Sequence, residues 1–517
     1  MLRNNHTGKS SSAQAAAQLF PTLSPETATP PTASEQFKQQ RILHATLATI
    51  THFFGPLSRL FVGVDDPRDQ AKITYPLASL LWTGVWMFLC QLGARRQIAI
   101  EFRDNAPSET NFARLFGTPT VPHGDTLEAA FARLKPEQAQ ACVTALTETL
   151  IRKKVLQPYR LLDQYYVIAI DGTGIYSFST RHCEHCLTRT HKGKTTYYHN
   201  LLEAKLITWD GFAFSLMTEF IENPAPNPTK QDCELKAFYR LAERLKERFP
   251  RLPICLSLDG LFACGPVFQI CLEAGWKCVV VLKEKDLPTV HTEFLSLSKL
   301  HPEQQLRQEA LSPTGTLHTE QGFRWVNGIE YLDTQKREHQ LSVIECQETK
   351  TKIEAQTEIG TTTATRTRRK SSSGPKIETK TETNPDGEAQ TTRFLWVSNL
   401  PITKSNVREV AQQAGRDRWK IENEGFNSQK QGGFALEHLY TYDQTSAKIF
   451  YFLLQIAHLL FQLTVAGSLL KKYFPRGFGS LRKFAERLCE AWRNSLLAPE
   501  ILFLLEQLRC QIRFDTS

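Results

Sequence analysis

Residues 165–174, YYVIAIDGTG, decide the fold class, because six apolar, β-rich residues run directly into Asp171. A continuous apolar run of this length predicts a buried strand that ends at residue 170. Residues 253–260, PICLSLDG, repeat the arrangement with Asp259 after the apolar run. Between the two runs lie further strand candidates at 201–207 and 211–220 and a helical pattern at about 230–249, and another helical pattern at 266–274 follows Asp259. Strands that alternate with helices predict an α/β core with a mixed sheet.

The two aspartates stand where strands of an α/β sheet present ligands, since the carboxyl ends of the strands form the binding crevice. If the two strands are neighbours, Asp171 and Asp259 converge, and converging carboxylates repel unless a cation neutralises them. Carboxylate oxygens suit Mg²⁺ or Mn²⁺. A third carboxylate is found in residues 416–430, RDRWKIENEGFNSQK, where Arg418 and Glu422 are four apart and would share one face of an α-helix.

Each of these pieces has an ordinary structural explanation when it is taken alone. An Asp-Gly pair after a strand is often only a turn. An Arg-Glu pair at this spacing is often a solvated surface pair that contributes a few tenths of a kcal/mol, about 0.3–0.5. The combination of three such pieces in this order is more specific than any one of them.

As a set, three blocks resemble the DDE transposases of bacterial insertion sequences, in the large group with a β-rich insertion between the second Asp and the Glu. The first block is VIAIDGTG with Asp171, and the second is LSLDGLFACGPVFQICLEAGWKCVVVLK with Asp259. The third block is RWKIENEGFNSQK with Glu422. The resemblance covers roughly residues 160–465, and the long separation between Asp259 and Glu422 has room for the inserted module.

The resemblance implies a ribonuclease-H-like core in which Asp171, Asp259 and Glu422 hold two Mg²⁺ (or Mn²⁺) ions. It implies hydrolysis of DNA at terminal inverted repeats, followed by joining of the 3′-hydroxyl ends to target DNA. The implied partner is double-stranded DNA, both transposon ends and target. A homodimer is expected in the DNA complex, because strand exchange needs two ends held together.

The third block departs from the family pattern of Tyr, two residues, Arg, three residues, Glu, six residues and Lys. Arg418 and Glu422 fit, and Arg418 is expected to hold a DNA phosphate. Gly415 stands at the Tyr position, Gln429 stands at the Lys position, and Lys430, the other candidate phosphate ligand, comes one residue late. On an α-helix that offset is a rotation of about 100°.

Three alternatives to this assignment remain open at the level of the sequence. Glu424 is a less favoured third carboxylate, because it lies on another helix face. The departures keep open a domesticated or degenerate transposase that binds DNA without cutting it. A resolvase-like or repair nuclease on the same core is the remaining alternative, which the inserted module and the third block fit poorly.

Composition and pattern divide the chain into six predicted segments. A tail expected to be disordered precedes a helical domain expected to bind the transposon end. The core is interrupted by a β-rich insertion with a flexible basic loop. Trp325 in the insertion, or Trp396 in the core strand after it, could stack on an unpaired base, although packing is the favoured role of Trp396. These segments are 1–36 (tail), 37–150 (helical), 155–300 (first part of the core), 301–392 (insertion), 393–470 (second part, with Glu422) and 471–517 (helical tail).

Net charge, cysteine distribution and hydropathy indicate the kind of partner and the cellular compartment of the protein. The net charge of +9 and the pI of about 8.9 favour a polyanionic partner. Most of the 12 cysteines sit singly in apolar runs, which indicates reduced thiols in a cytoplasmic protein. Residues 75–94 are the better of two candidate membrane spans and 449–470 the other, but we interpret both as buried helices and expect no membrane.

Residues 182–199, HCEHCLTRTHKGKTTYYH, contain a cluster of cysteines and histidines. The spacing of Cys183 and Cys186 is that of a zinc knuckle, and further ligands are offered by His182, His185, His191 and His199. Of these, His191 and His199 would complete a Cys2His2 site for Zn²⁺. The alternative is a reduced hairpin that binds no metal. Basic side chains in and beyond this segment are either DNA-phosphate contacts or solvated loops, namely Arg181, Arg189, Lys192, Lys194, Arg366, Arg368, Arg369 and Lys370.

Overall fold

The computed structural model describes residues 35–118, 120–224, 228–312, 317–352, 389–471, 474, 477, 479–507 and 512–514. The basic loop 361–380 and almost all of the predicted tail 1–36 lie outside these residues. The chain forms two compact units. The first contains residues 1–160, 169–249 and 419–517, and the second contains residues 161–168 and 250–418.

The first unit opens with helices. Asn105 begins one of them, because its side chain accepts a hydrogen bond from the Ser108 N–H, and Gly117 ends it with a positive φ of 68°. These helices are α1 (Glu35–Phe54), α2 (Leu77–Leu89), α3 (Gln97–Phe102), α4 (Ala106–Phe116), α5 (Gly124–Phe131) and α6 (Pro136–Arg152).

Four strands and one more helix follow α6 along the chain. Strand β3 pairs antiparallel with β2 along its first half and with β4 along its second half, and it lies beside β1. Helix α6 covers β4, where Thr144 and Thr147 donate side-chain hydrogen bonds to main-chain carbonyls of that strand. The elements are β1 (Tyr166–Phe178), β2 (Leu187–His191), β3 (Lys194–Ile207), β4 (Ala213–Ile221) and α7 (Glu234–Arg248).

The second unit contains a mixed sheet that begins with the first residues of β1. From there the strand order is β5-β6-β10-β9-β8-β7, in which β5 and β6 are parallel and the later pairs are antiparallel. The strands of the predicted insertion therefore extend the sheet of β5 and β6. The elements are β5 (Ile254–Leu258), α8 (Gly265–Ala274), β6 (Lys277–Val281), α9 (Pro288–Leu300), β7 (Gln305–Leu311), β8 (Leu317–Leu332), β9 (Glu338–Lys352) and β10 (Ala389–Ser398).

After β10 the backbone winds irregularly and then returns to long helices. The sequence predicted a regular helix over 405–427, but two π-helical segments and one 3₁₀ turn interrupt it. The elements are α10 (Val407–Glu409), a π-helical segment (Val410–Gly415), a 3₁₀ turn (Arg416–Trp419), a second π-helical segment (Ile421–Asn427), α11 (Ser428–Gln431), α12 (Gln444–Ala466), α13 (Ser468–Lys471), α14 (Leu481–Asn494) and α15 (Pro499–Gln507).

The predicted C-terminal helical tail packs into the N-terminal helices of the first unit. Trp492 of α14 is fully buried, with its ring 4.2 Å from that of Trp86. Asn111 of α4 donates to the carbonyls of Trp492 and Ser495 and accepts from the Leu497 N–H. These contacts make the two ends of the described chain parts of one apolar core.

Among the described helices, Gln444–Ala466 is long and apolar enough to cross a membrane. From the sequence, residues 75–94 were the better candidate for a helix of membrane-spanning length. The helix there has only 13 residues, because Pro76 precedes it and a turn begins at Cys90. Within the fold, 83% of the apolar window of Gln444–Ala466 is buried. The helix therefore forms much of the core of the first unit.

The prediction of an α/β fold with a mixed sheet is confirmed, and the ribonuclease-H-like topology stays a prediction.

Candidate active site

Asp171 lies in the middle of β1, whereas the sequence predicted that this strand ends at residue 170. The strand continues to Phe178, and in this continuation Thr173 and Ile175 are buried. The carboxylate of Asp171 accepts a hydrogen bond from the Gly172 N–H at 2.9 Å, and the residue is half-buried. Asp171 thus projects from a paired strand and not from the loop that follows one.

Gly172 is the point at which a second acidic side chain reaches β1. A Cβ added at Gly172 would lie 2.3 Å from Oε1 of Glu234, the first residue of α7, so only glycine permits this approach. The carboxylate of Glu234 consequently packs beside the residue that follows Asp171. Sequence reasoning missed Glu234, since no local motif marks it and only the packing of α7 on β3 and β4 brings it there.

Asp259 follows the last residue of β5 directly, as the sequence predicted. Because β5 and β6 are parallel, their carboxyl ends meet at one edge of the sheet. Lys283, from the end of β6, lies there with its Nζ 3.5 Å from Oδ2 of Asp259. Asp286 reaches the same edge, where a Cβ added at Gly260 would lie 2.8 Å from its Oδ2. Neither Lys283 nor Asp286 was predicted from the sequence as a site residue.

Glu422 is half-buried on the π-helical segment Ile421–Asn427, and Arg418 precedes it on the 3₁₀ turn Arg416–Trp419. The regular α-helix that the sequence predicted over these two residues is therefore not formed, because the backbone changes its winding between them. Arg418 is buried, with 4% of its surface exposed, and its phosphate-binding role stays a prediction. Single π-helical turns inside helices are frequent at functional sites.

The π-helical segment changes the side of the helix on which Lys430 lies. An i→i+5 turn holds about one residue more than an i→i+4 turn. Lys430, eight residues after Glu422, therefore comes to the side that residue 429 would occupy on a regular α-helix. Lys430 pairs with Glu437 at 2.8 Å, whereas Gln429 is fully buried. We expect Lys430 to fill the place of the family lysine despite its offset.

Gly415, which stands at the Tyr position of the family pattern, is held against a tryptophan. A Cβ at Gly415 would lie 2.6 Å from Cε2 of Trp396. The Trp396 ring is 3% exposed and stacks on Phe394 at 5.9 Å. Trp325 is also buried, at 4% exposure. Both tryptophans are core residues here, so stacking of a base on Trp325 or Trp396 does not fit this structure.

Asp171 and Glu422 belong to the first unit, and Asp259 and Arg418 belong to the second. Each of the three carboxylates is half-buried and stands on or directly after a regular element. A carboxylate that is positioned by the backbone and still reachable from solvent suits a hard divalent cation. Each of these carboxylates, taken singly, is therefore a suitable type of ligand for Mg²⁺ or Mn²⁺.

Glu424, the less favoured third carboxylate, occupies a different environment from Glu422. It lines a cavity of the first unit together with Asp210 and Gln462, and Glu422 is not among the residues that line this cavity. Within the π-helical segment the two side chains therefore differ in their surroundings, as different helix faces require.

Comparison with known proteins bears on the helical region. Residues 58–147 match the family model described as DDE_Tnp_1-associated. No curated protein matches the chain. The match covers α2 to α5 and most of α6, and it relates the chain to DDE-type transposases.

The cysteine–histidine cluster is assembled in part as the sequence predicted. Ligand atoms of Cys183, Cys186 and His199 all lie within 4.8 Å of one another. His191 is absent from this group of described residues, because it ends β2 and pairs with Lys194 at the exposed tip of the hairpin. The Cys2His2 set with His191 as a ligand is therefore wrong.

Proposed function

We propose that the chain is a DDE transposase of the insertion-sequence group with a β-rich insertion before the catalytic Glu. It would cut DNA at the terminal inverted repeats and join the 3′-hydroxyl ends to target DNA. The relation of residues 58–147 to DDE-type transposases supports the class. The three acidic residues, Asp171, Asp259 and Glu422, supply the donors that this chemistry needs.

One observation carries the proposal of a shared site. The Tyr166 N–H at the start of β1 donates to the Pro253 carbonyl just before β5 at 2.9 Å. Asp171 and Asp259 follow this hydrogen bond by five and six residues, respectively. If the two strands continue side by side, as in a ribonuclease-H-like core, their carboxylates come to the same level. Glu422 then completes the set from the π-helical segment.

The residues of the chain hold and orient the reacting groups. Asp171, Asp259 and Glu422 would hold two Mg²⁺ (or Mn²⁺) ions, which activate the attacking water or 3′-hydroxyl and stabilise the leaving oxygen when bound. Lys283 already places a positive charge beside Asp259, and Lys430 and Arg418 are the candidate ligands of DNA phosphates. No covalent enzyme intermediate is required.

The remaining parts of the chain are assigned roles in holding DNA. The helical region 37–150 would bind the transposon end, and two chains would pair when both ends are bound. Exposed basic residues on the β2–β3 hairpin, Arg189 and Lys192 among them, are available for phosphate contacts. Such contacts make the affinity for DNA fall steeply with salt concentration.

The test is a cleavage and strand-transfer assay with the purified full chain, Mg²⁺ and DNA that carries the inverted repeats flanking the gene. Replacing Asp171→Asn, Asp259→Asn or Glu422→Gln should each lower cleavage by about three orders of magnitude or more, while DNA binding in a gel-shift assay is retained. Glu424→Gln, on the same π-helical segment, is the matched control and should keep its activity.

Three outcomes would refute the assignment. Cleavage that survives Asp171→Asn in Mg²⁺ would exclude this active site. Specific binding of the ends by the unaltered chain, with no cleavage under any divalent cation, would identify a domesticated transposase instead. Hydrolysis without strand-transfer products would favour the nuclease alternative.

A further inference from the structure

Three side chains with metal-binding atoms meet beside β1 in the first unit. Cys183 and Cys186 lie in the turn before β2, and His199 lies on β3. The two Sγ atoms are 3.5 Å apart. The His199 Nε2 lies 3.4 Å from Sγ of Cys183 and 3.3 Å from Sγ of Cys186. The three atoms thus form a nearly equilateral triangle.

The pairing of β2 with β3 produces this triangle. Leu187 pairs with Tyr198 in the antiparallel ladder, and the next residues outward are therefore Cys186 and His199. The Lys192-Gly193 pair turns the hairpin with two positive φ values, which is the conformation of a tight two-residue turn and fixes the register. The histidine that faces the cysteines is consequently His199.

The triangle has the dimensions of a tetrahedral zinc site. With Zn–S of about 2.3 Å and Zn–N of about 2.0 Å at tetrahedral angles, two sulfurs lie about 3.8 Å apart and a sulfur and a nitrogen about 3.5 Å apart. The observed separations of 3.3–3.5 Å are within a few tenths of an ångström of these values. The Sγ–Sγ distance of 3.5 Å is far longer than the roughly 2.05 Å of a disulfide.

The turn that carries the cysteines is held in place by its own contacts. The Cys183 N–H donates to Sγ of Cys186 at 3.4 Å. Asn223, which is 2% exposed, donates to the Cys186 carbonyl at 2.8 Å, and its own carbonyl contacts Nδ1 of His185. Outer contacts of this kind orient metal ligands.

A fourth ligand is available from the same turn. The ring of His182 lies 6.0 Å from that of His199, centre to centre. Two imidazoles that share a zinc ion have centres roughly 5 Å apart, by the Zn–N distance and a tetrahedral angle. His182 packs on Phe178 at 4.6 Å, and in the proposed site its side chain would rotate so that a ring nitrogen takes the fourth corner of the tetrahedron.

We propose that Cys183, Cys186, His199 and His182 bind one structural Zn²⁺ ion. The ion would fasten the turn after β1 to β3. A closed four-ligand site of this kind contributes folding free energy and takes no part in the chemical reaction. The proposal does not depend on the proposed transposase activity, because the ligands and their geometry are independent of Asp171, Asp259 and Glu422.

The experiment is metal analysis of the purified full chain with its affinity tag removed, by inductively coupled plasma mass spectrometry after dialysis. We expect about one zinc per chain. Cys183→Ser and His199→Asn should each reduce this to below a tenth, and His182→Ala should weaken retention against a chelator by about tenfold or more. Cys233→Ser and His191→Asn are matched controls, because both residues are exposed, and should retain one zinc.

A second measurement needs no variant and so does not depend on whether the variants fold. Metal-free wild-type chain titrated with Co²⁺ should develop a thiolate-to-cobalt charge-transfer band and the strong d–d bands of a tetrahedral site, saturating at one equivalent. Zinc well below one equivalent in folded protein, absence of these bands, or a Cys183–Cys186 disulfide detected by mass spectrometry would each overturn the proposal.

Discussion

The ammonium of Lys205 lies 3.0 Å from the carboxylate of Glu203, and both side chains on β3 are fully buried. Glu203 also accepts from the Tyr451 hydroxyl at 2.6 Å, and Lys205 donates to Gln455 at 2.9 Å. Burial lowers the pKa of Lys205, and the neighbouring carboxylate of Glu203 opposes that shift. A buried ion pair of this kind is stable only while both partners and their hydrogen bonds are present.

The same pair supports the helix that carries Glu422. A Cβ at Gly425 would lie 3.1 Å from Cδ and Cε of Lys205, so the lysine stem packs directly on the π-helical segment. Gln455 links Lys205 to Gln429 at the end of that helix through a 2.7 Å hydrogen bond. The polar network therefore fixes the backbone from which Glu422 projects.

We predict that Lys205→Met lowers the free energy of unfolding by about 3–5 kcal/mol, because it leaves the Glu203 carboxylate buried without its cation. The double variant Lys205→Met with Glu203→Gln should lose less free energy of unfolding than Lys205→Met alone. Urea denaturation followed by circular dichroism measures both. Lys72→Met removes an exposed lysine and serves as the control. Equal stability of Lys205→Met and wild type would contradict the prediction.

A lysine at position 429, its usual place in the family pattern, should lower the stability of the protein. Gln429 is fully buried and exchanges hydrogen bonds with Gln455, so Gln429→Lys buries a second ammonium beside the amide that already binds Lys205. We expect a loss of about 3 kcal/mol in denaturation. Lys430→Gln breaks only a partly exposed pair and should cost less than about 1 kcal/mol.

The combined variant, Gln429→Lys with Lys430→Gln, tests whether residue 430 or residue 429 lies on the functional side of the helix. If the π-helical segment brings Lys430 to the functional side, Gln429→Lys with Lys430→Gln should be both less stable and less active in strand transfer. A combined variant as active as the wild type would mean that a regular α-helix forms here.

Substitution of Gly415 should destabilise the protein because the Trp396 ring lies beside it. Gly415→Ala is expected to cost about 1–3 kcal/mol in thermal or urea denaturation, since a Cβ at 2.6 Å forces the ring or the helix to shift. Gly63→Ala is the control, because nothing lies within 4 Å of its Cβ position. An unchanged midpoint for Gly415→Ala would show that the close packing is absent.

Stability should fall on mild acidification because of His44 in α1. Burial, and to a lesser extent Arg41, lowers the pKa of His44 to about 4 from 6.5. The unfolded chain then binds a proton that the folded chain does not between pH 6.5 and pH 4. The loss grows as pH falls through this window, reaching roughly 3 kcal/mol near pH 4, and stays constant below it.

His44→Leu should reduce this pH dependence without introducing a charge. Denaturation curves of the variant and the wild type, taken from pH 7.5 to pH 4.5, provide the measurement. Wild type and variant that lose stability in parallel over this range would show that His44 does not contribute.

Local sequence determined the features that depend on neighbouring residues in the chain. The apolar run 253–258 followed by Asp259 specified a buried strand with an acidic residue at its end, and the structure has β5 there. The alternation of strands and helices likewise specified an α/β fold with a mixed sheet. Hydrophobic periodicity acts over a few residues, so such features can be read directly from it.

Tertiary structure decided the features that depend on partners far away in the chain. β1 runs past Asp171 because it pairs with β3, and the hairpin register selects His199 over His191 as the histidine beside the cysteines. Lys205 and Trp396 lie against the helical stretch that winds as a π-helix around Glu422 and up to Gly415. Packing between distant segments sets strand length, register and helical winding, and propensity over a short window contains no information about it.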